Sequence, residues 1–388
     1  MAKLNVAPGI YHIGANDTDL DFFEGQYIVP EGMSYNSYVI DDEKIAILDT
    51  IDERKTEEWI QKLDEVLEGR QPDFLIVQHL EPDHSANIKY IVERFPELKV
   101  VCSAKCASMI PQFFDIKLDG RIQTVKEGDT LSTGNHNLQF VMAPMVHWPE
   151  VMVTYDSTAK VLFAADAFGK FGYYDEGLDD WDCEARRYYF NIVGKYGAQV
   201  QILLKKAAKL DIQTILPLHG PFLTGDLSHF ISQYNTWSKY EPETDGFFIA
   251  YCSLHGNTAQ AALKLADILK GKTDKKISTA DLVRTDLAED IEDAFRYSNM
   301  VLAAPTYDAG VMPVMADFLA HLKAKNYQNR RVAIIENGSW APMAAKRITE
   351  ELQQMKNITI VEPVVSIRST VKPENVDALE QLADVLVK

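Results

Sequence analysis

Apolar and polar positions follow two regimes along this chain. In the first, short apolar runs are broken by turns at close intervals. The runs at 10–13, 35–40 and 44–49 read as strands, with Asp41-Asp42 turning the last two into a hairpin. Between 53 and 67, Trp59, Leu63, Val66 and Leu67 recur at helical spacing and predict an amphipathic helix. Phe74-Leu75-Ile76-Val77 is an apolar run of strand length. A helix at 87–94 and a strand at 99–102 follow it. Further strands are predicted at 122–125, 138–141, 152–155, 161–164 and 212–216, with a long helical stretch at 183–210. This mixture fits a two-sheet α/β sandwich better than one parallel sheet.

The regime changes near Tyr240. Residues 241–246, Glu-Pro-Glu-Thr-Asp-Gly, predict a linker. Strands at 247–251, 281–284, 300–304, 331–336 and 358–361 then alternate with helices at 258–269, 291–296, 313–325, 341–355 and 373–387. Strict alternation of this kind predicts a doubly wound parallel sheet. The chain is therefore expected to be α/β in two domains, 1–243 and 244–388. It shows no repeat and no low-complexity tract.

Composition narrows the function. Acidic residues outnumber basic ones by 57 to 39, a net charge of −18, which argues against binding nucleic acid through its phosphates. The four cysteines, Cys102, Cys106, Cys183 and Cys252, include no Cys-x-x-Cys pair, so neither a disulfide framework nor a fused rubredoxin or zinc ribbon is expected. No signal peptide opens the chain and no apolar run reaches membrane-span length. The expectation is a cytoplasmic protein with no membrane partner.

The densest chemistry is Gln78-His79-Leu80-Glu81-Pro82-Asp83-His84-Ser85. Proline disfavours helix at the residue before it, so these side chains are expected to leave the strand at 74–77 and enter a loop. Three more polar residues stand at later strand ends: His147, Asp166 and His219. All seven, His79, Glu81, Asp83, His84, His147, Asp166 and His219, follow the carboxyl end of a predicted strand, so one sandwich edge can gather them. Seven ligands exceed the needs of one ion and suit a pair with a shared carboxylate. Asp166, alone on its loop, is the natural bridge. Imidazole mixed with hard oxygen suits iron or manganese, while ligand type alone leaves zinc open. His12, His136, His229 and His321 are read as structural or surface residues, and Cys102 and Cys106 as reduced, small apolar ones.

The second half carries a different signal. The strand at 247–251 runs through Ser253-Leu254-His255-Gly256-Asn257-Thr258 into a helix, an anion site built from backbone N–H groups, two hydroxyls and the helix dipole. Neither a dinucleotide fingerprint nor a Gly-Lys-Ser/Thr loop is present, so a single phosphate ester fits best, as on flavin mononucleotide (FMN). Two further strand ends supply Pro305, Thr306, Tyr307, Asp308 and Gly310, then Asn337, Gly338, Ser339 and Trp340. Tyr307 and Trp340 are expected to cover a flavin ring.

Taken together, these motifs resemble the flavodiiron (A-type flavoprotein) family over essentially the whole chain. The resemblance implies a metallo-β-lactamase-like αβ/βα sandwich holding a diiron site and a flavodoxin-like domain holding FMN. It assigns one iron to His79, Glu81 and His147 and the other to Asp83, His84 and His219, with Asp166 bridging. It implies reduction of dioxygen to water, of nitric oxide to nitrous oxide, or both. The electron donor would be rubredoxin or a reduced deazaflavin coenzyme, and the assembly a head-to-tail homodimer. The chain is similar to the shortest class, without fused rubredoxin. Trp148 and aromatic residues of the first 40 positions are expected to wall the pocket. The rival readings are a zinc hydrolase of the metallo-β-lactamase type with an attached flavin module, for which histidine rather than Glu81 is usual, and a plain FMN electron carrier.

Overall fold

The computed structural model describes residues 4–173 and 181–388 of the chain. Two compact units result, one formed by Met1–Tyr189 with Tyr196–Asn235 and the other by Phe190–Lys195 with Thr236–Lys388.

The first unit is a two-sheet sandwich. One sheet runs, in spatial order, Leu4–Ala7, Ile10–His12, Tyr38–Ile40, Ala46–Leu48, Phe74–Val77, Lys99–Ser103 and Ile122–Val125. Its last four strands are parallel. The other sheet runs Thr130–Ser132, Asn137–Met142, Met152–Asp156, Val161–Phe163, Thr214–Leu216 and Leu223–Thr224, with only Val161–Phe163 and Thr214–Leu216 parallel. Alternate residues of both sheets meet between them: Tyr38, Ile40, Phe74 and Ile76 from one, Leu138, Phe140, Val161 and Phe163 from the other. The intervening Val39, Ile47 and Leu75 are buried too, so these strands read as unbroken apolar runs. Helix Thr56–Leu67 buries Trp59, Leu63, Val66 and Leu67, the four residues that its spacing singled out.

This topology sets the site's position. Ala164 N donates to Leu216 O at 3.0 Å and Leu218 N to Ala165 O at 2.9 Å, which brings the segments carrying Asp166 and His219 side by side. Met152 N donates to Gln78 O at 3.2 Å, tying one sheet's ligand-bearing edge to the other.

Several local expectations are corrected. The single strand at 35–40 is two, Met33–Tyr35 and Tyr38–Ile40, and they lie in different sheets. Asn36 separates them: its amide donates to Pro217 O and Gly220 O, both at 2.9 Å, pinning the loop that carries His219. The helical stretch at 183–210 is Trp181–Tyr188, a π turn at Tyr189–Val193, a 3₁₀ turn at Gly194–Tyr196 and Gly197–Ala207. Helices Ala104–Phe113 and Ser228–Ser238 lie outside every helix expected from the sequence.

The second unit is a sheet of five parallel strands, in sequence order Thr244–Tyr251, Lys276–Asp281, Tyr297–Tyr307, Gln328–Asn337 and Lys356–Ile367, with the short strand Gly310–Val311 added antiparallel to Tyr297–Tyr307. In space the second strand lies outside the first, and the third, fourth and fifth follow on its other side. That is the flavodoxin-like order, with its switch point between the first and third strands. Helices Asn257–Lys270 and Pro373–Leu386 pack Leu265, Leu269, Leu379 and Leu382 against Phe247, Ile249, Val301 and Ile335. The strand expected at 281–284 lies earlier, at Lys276–Asp281, and the first strand begins at Thr244, inside the expected linker. Among the described residues no helix is long and apolar enough to cross a membrane.

Candidate metal centre and phosphate-loop cleft

Strand Phe74–Val77 is buried throughout and ends on a second buried carboxylate. Asp49 accepts hydrogen bonds from Gln78 N at 2.7 Å, His79 N at 3.3 Å and Gln78 Nε2 at 2.9 Å, fixing the direction in which the chain leaves the sheet. Glu81 is extended, with φ −58° and ψ 140°, as a residue before proline should be. The next residues are not a loop, however. Pro82, whose ring presets a helical φ, opens a one-turn helix Pro82–Ser85 that turns Asp83 and His84 inward.

The seven ligand candidates converge in two groups, His79, Glu81, His147 and Asp166 in one and Asp83, His84 and His219 in the other. In the first, His147 Nε2 lies 2.9 Å from Glu81 Oε2, and His79 Nε2 lies 3.2 Å from that oxygen and 3.1 Å from Asp166 Oδ2. In the second, Asp83 Oδ2 lies 3.3 Å from His84 Nε2 and 3.2 Å from His219 Nε2. Asp166 faces both: Oδ2 is 3.3 Å from His147 Nε2, and Oδ1 is 3.3 Å from His84 Nε2.

Whether these residues suit a cation pair is decided by their unsatisfied atoms. Both carboxylate oxygens of Asp83 and both of Asp166 are buried with no hydrogen-bond donor among the described residues. Orphaned buried oxygens of this kind cost about 1–3 kcal/mol each, more when charged, unless a cation meets them. Burial opposes charge on each group. At Asp83 burial wins and pushes the carboxyl up to about 7. At His219 it also wins and pushes the ring below its ordinary value. At Asp166 burial is outweighed by His79, His147 and His84, which hold its carboxyl well below the usual range. Four imidazoles and three carboxylates meeting two divalent ions satisfy every one of these groups.

Two partners behind the ligands lie outside every motif read from the sequence. His79 Nδ1 lies 2.8 Å from Glu150 Oε1, and His219 Nδ1 lies 2.7 Å from Ser34 O. Both contacts hold the Nδ1 proton and leave Nε2 as a lone pair aimed into the centre. Trp148 packs edge-on against His79, with ring centroids 5.1 Å apart. Phe23, Tyr188 and Tyr35 surround His219 at 5.4, 5.5 and 6.0 Å. A cavity of about 260 Å³ lined by Phe22, Phe23, Tyr35, Glu81 and Asp83 adjoins these residues. The other histidines stand apart: His12 meets Asn36 at 3.0 Å, His136 meets Asp156 at 2.5 Å, and His229 meets Asp182 at 2.7 Å.

In the second unit a cleft of about 470 Å³ opens at the switch point. Of the expected flavin-site residues, Ser253, Leu254, His255, Asn257, Thr258, Pro305, Thr306, Asp308, Asn337, Gly338, Ser339 and Trp340 line it, joined by Ala309, Ala341, Met343 and Ser369. Gly256, Tyr307 and Gly310 are not among the lining residues. Gly256 takes φ +89°, where a side chain would be strained, and leads into helix Asn257–Lys270. Ser253 Oγ accepts from Gly256 N at 3.0 Å and shapes the loop. Some polar side chains are occupied by the fold: Thr306 Oγ1 accepts from Met343 N at 2.8 Å, and Asn337 exchanges two bonds with Ser369. Trp340 is 89% exposed and Tyr307 44% exposed. Bare aromatic surface beside a loop rich in donors suits a flat aromatic ligand bearing a phosphate.

Comparison with known proteins agrees with both halves. Residues 33–220 match the family model described as ODP family beta lactamase. The anaerobic nitric oxide reductase flavorubredoxin of Vibrio vulnificus is 29% identical over 386 residues, 96% of this chain and 76% of that protein. A nitric oxide reductase of Moorella thermoacetica is 29% identical over 390 residues, 97% of this chain and 96% of that one. Among solved structures, rubredoxin oxygen:oxidoreductase from Desulfovibrio gigas superposes with a TM-score of 0.92 at 24% identity, covering 99% of this chain and 98% of its own. The flavodiiron protein from Giardia intestinalis gives 0.91 at 24% identity, covering 100% and 96%. With a metallo-β-lactamase-like sandwich, a flavodoxin-like sheet and relatives that match nearly its whole length, the chain is similar throughout to the flavodiiron proteins.

Proposed function

We propose that this chain is an oxidoreductase that reduces dioxygen to water, nitric oxide to nitrous oxide, or both. In this reading residues 1–243 hold two irons through His79, Glu81, His147, Asp83, His84, His219 and the bridging Asp166. Residues 244–388 hold FMN in the cleft between the 253–258, 305–310 and 337–340 loops. Bound iron supplies Lewis-acid binding of the gas and one-electron redox chemistry, and bound flavin supplies storage of two electrons. The observation that carries the reading is Asp166, whose two unpartnered oxygens face two separate groups of ligands.

The chain's own residues do the rest. Glu150 and Ser34 O orient His79 and His219 through their Nδ1 atoms. Trp148, Phe23, Tyr35 and Tyr188 wall the histidines with apolar surface and limit water. Electrons enter from an external carrier such as rubredoxin or a reduced deazaflavin coenzyme. A head-to-tail homodimer belongs to the reading, because electron transfer needs close cofactors and pairing chains supplies a short path. A cytoplasmic setting belongs to it as well. Glu81 argues against the zinc hydrolase, because it places a carboxylate between His79 and His147 where such hydrolases usually carry histidine.

The test is anaerobic turnover with each gas, using one reduced donor at matched concentration. Consumption of dioxygen or nitric oxide that depends on both iron and FMN supports the reading. A colourless zinc protein that cleaves an ester or lactam and consumes neither gas defeats it.

A further inference from the structure

We propose that Glu150 is a positioning residue that makes the two metal positions unequal in reduction potential, the position held by His79, Glu81 and His147 being the lower. This inference rests on the diiron reading above and goes beyond it.

Counted by ligands alone, the two positions are the same. Each has two histidines, one terminal carboxylate and one oxygen of Asp166. Their formal donor charges are therefore equal, so what surrounds the ligands can set the two apart; Glu24 lies against Glu81 at the first position, and a further difference stands behind the rings. There the structure is asymmetric. His79 is backed by a carboxylate, with Nδ1 2.8 Å from Glu150 Oε1. His219 is backed by a neutral peptide carbonyl, with Nδ1 2.7 Å from Ser34 O. A carboxylate draws the Nδ1 proton more strongly and makes Nε2 the more basic donor. The more basic donor favours the higher oxidation state of whatever ion it binds.

Glu150 is placed so that its charge is felt. It is 1% exposed, so water screens it little. Leu80 N donates to the same Oε1 at 3.0 Å and fixes it behind His79. Its Oε2 is buried with no hydrogen-bond donor among the described residues, so the charge on that oxygen is met by none. Asp49, the other buried carboxylate nearby, accepts from Gln78 N, Gln78 Nε2 and His79 N; its charge reaches His84 through space, but among the described residues it hydrogen-bonds to no ligand ring.

The experiment uses the holoprotein loaded with ferrous iron without oxygen, and follows the two iron oxidations by potentiometric titration with Mössbauer and paramagnetic resonance detection. Wild-type protein that takes up no iron pair defeats the diiron reading itself, before any variant is compared. With the pair present, Glu150→Gln keeps an acceptor for Nδ1–H but removes the charge. It is expected to keep FMN and raise the lower midpoint by about 59 mV, a tenfold shift in the ferric-to-ferrous ratio for one electron, while the upper midpoint moves less. Glu150→Asp, which keeps the charge, is expected to lie nearer wild type. If Glu150→Gln instead releases iron, anomalous diffraction must show the loss at the His79 position alone. Unmoved midpoints, equal shifts of both, or loss of iron from the His219 position would each overturn the proposal.

Discussion

His84 and His219, both buried, turn their Nε2 atoms toward each other across 3.0 Å. The contact is awkward for two bare rings. His219 keeps its proton on Nδ1, 2.7 Å from Ser34 O, so its Nε2 presents a lone pair. His84 Nδ1 has no partner among the described residues. With Asp83 Oδ2 within 3.3 Å of both rings, a cation can meet the three groups at once. His219→Ala is therefore expected to lower the iron content from about two per chain toward one and leave FMN bound. Metal analysis and the flavin absorbance of protein prepared without oxygen check this.

Asp166 is the proposed ligand whose removal should affect both groups. It is fully buried and reaches His79 and His147 through Oδ2 and His84 through Oδ1. Asp166→Ala is expected to lose both irons, with a fall in gas consumption of at least about a hundredfold, while FMN stays. Full iron occupancy in this variant would refute the shared-ligand assignment.

The flavin cleft makes a separable prediction. Thr258 is buried at the start of helix Asn257–Lys270, and Ser253 holds the loop through Gly256 N. A hydrogen bond to a charged phosphate contributes roughly 1.5–3 kcal/mol, about tenfold or more in affinity. Ser253→Ala combined with Thr258→Ala is expected to weaken FMN binding by about 10–100-fold and leave iron content alone. Fluorescence titration of the apoflavoprotein measures the first quantity and metal analysis the second.

The sandwich carries an acid-sensitive tie. Asp42, in the turn before strand Ala46–Leu48, accepts from Thr133 Oγ1 at 2.8 Å, Asn135 N at 2.7 Å, Asn135 Nδ2 at 2.8 Å and His136 N at 2.9 Å. These donors join the turns of the two sheets. Burial acts to raise the Asp42 pKa, but the donors outweigh it and hold the carboxyl below its ordinary value. A depressed folded-state pKa gives stability that is fully present above the unfolded pKa of about 3.9 and lost as pH falls through the lower, folded value. Asp42→Asn is expected to lower the denaturation midpoint at pH 7 and to narrow the gap to wild type below about pH 3.5. Denaturant melts of the two proteins at both pH values test the sign.

How much of this was readable follows from where each signal lay. Phe74–Val77 is apolar on both faces and its ligands follow directly, so that run identified itself. His147, Asp166 and His219 were readable as single polar residues at strand ends, but their division into groups depends on which strands are neighbours. Glu150 escaped notice because one acid in a turn has no periodicity. Its available clue was an ionisable residue set against the apolar Val151-Met152-Val153. Strand Lys276–Asp281 was misplaced because it lies at the sheet edge, where its mixed exposure leaves no apolar run. The break at Asn36 reflects side-chain bonds to residues about 180 positions away, which local pattern does not encode. Thr306 and Asn337 were read as ligand groups from their place at strand ends, and their hydrogen bonds to Met343 and Ser369 show that the same place also serves the fold.

The central claim is that seven side chains hold two ions with Asp166 between them. Anomalous diffraction at the iron edge, on crystals grown without oxygen, tests it most directly. Two peaks are expected, one among His79, Glu81 and His147 and one among Asp83, His84 and His219, each within bonding distance of a different oxygen of Asp166. A single peak, or a pair that Asp166 does not join, would contradict it.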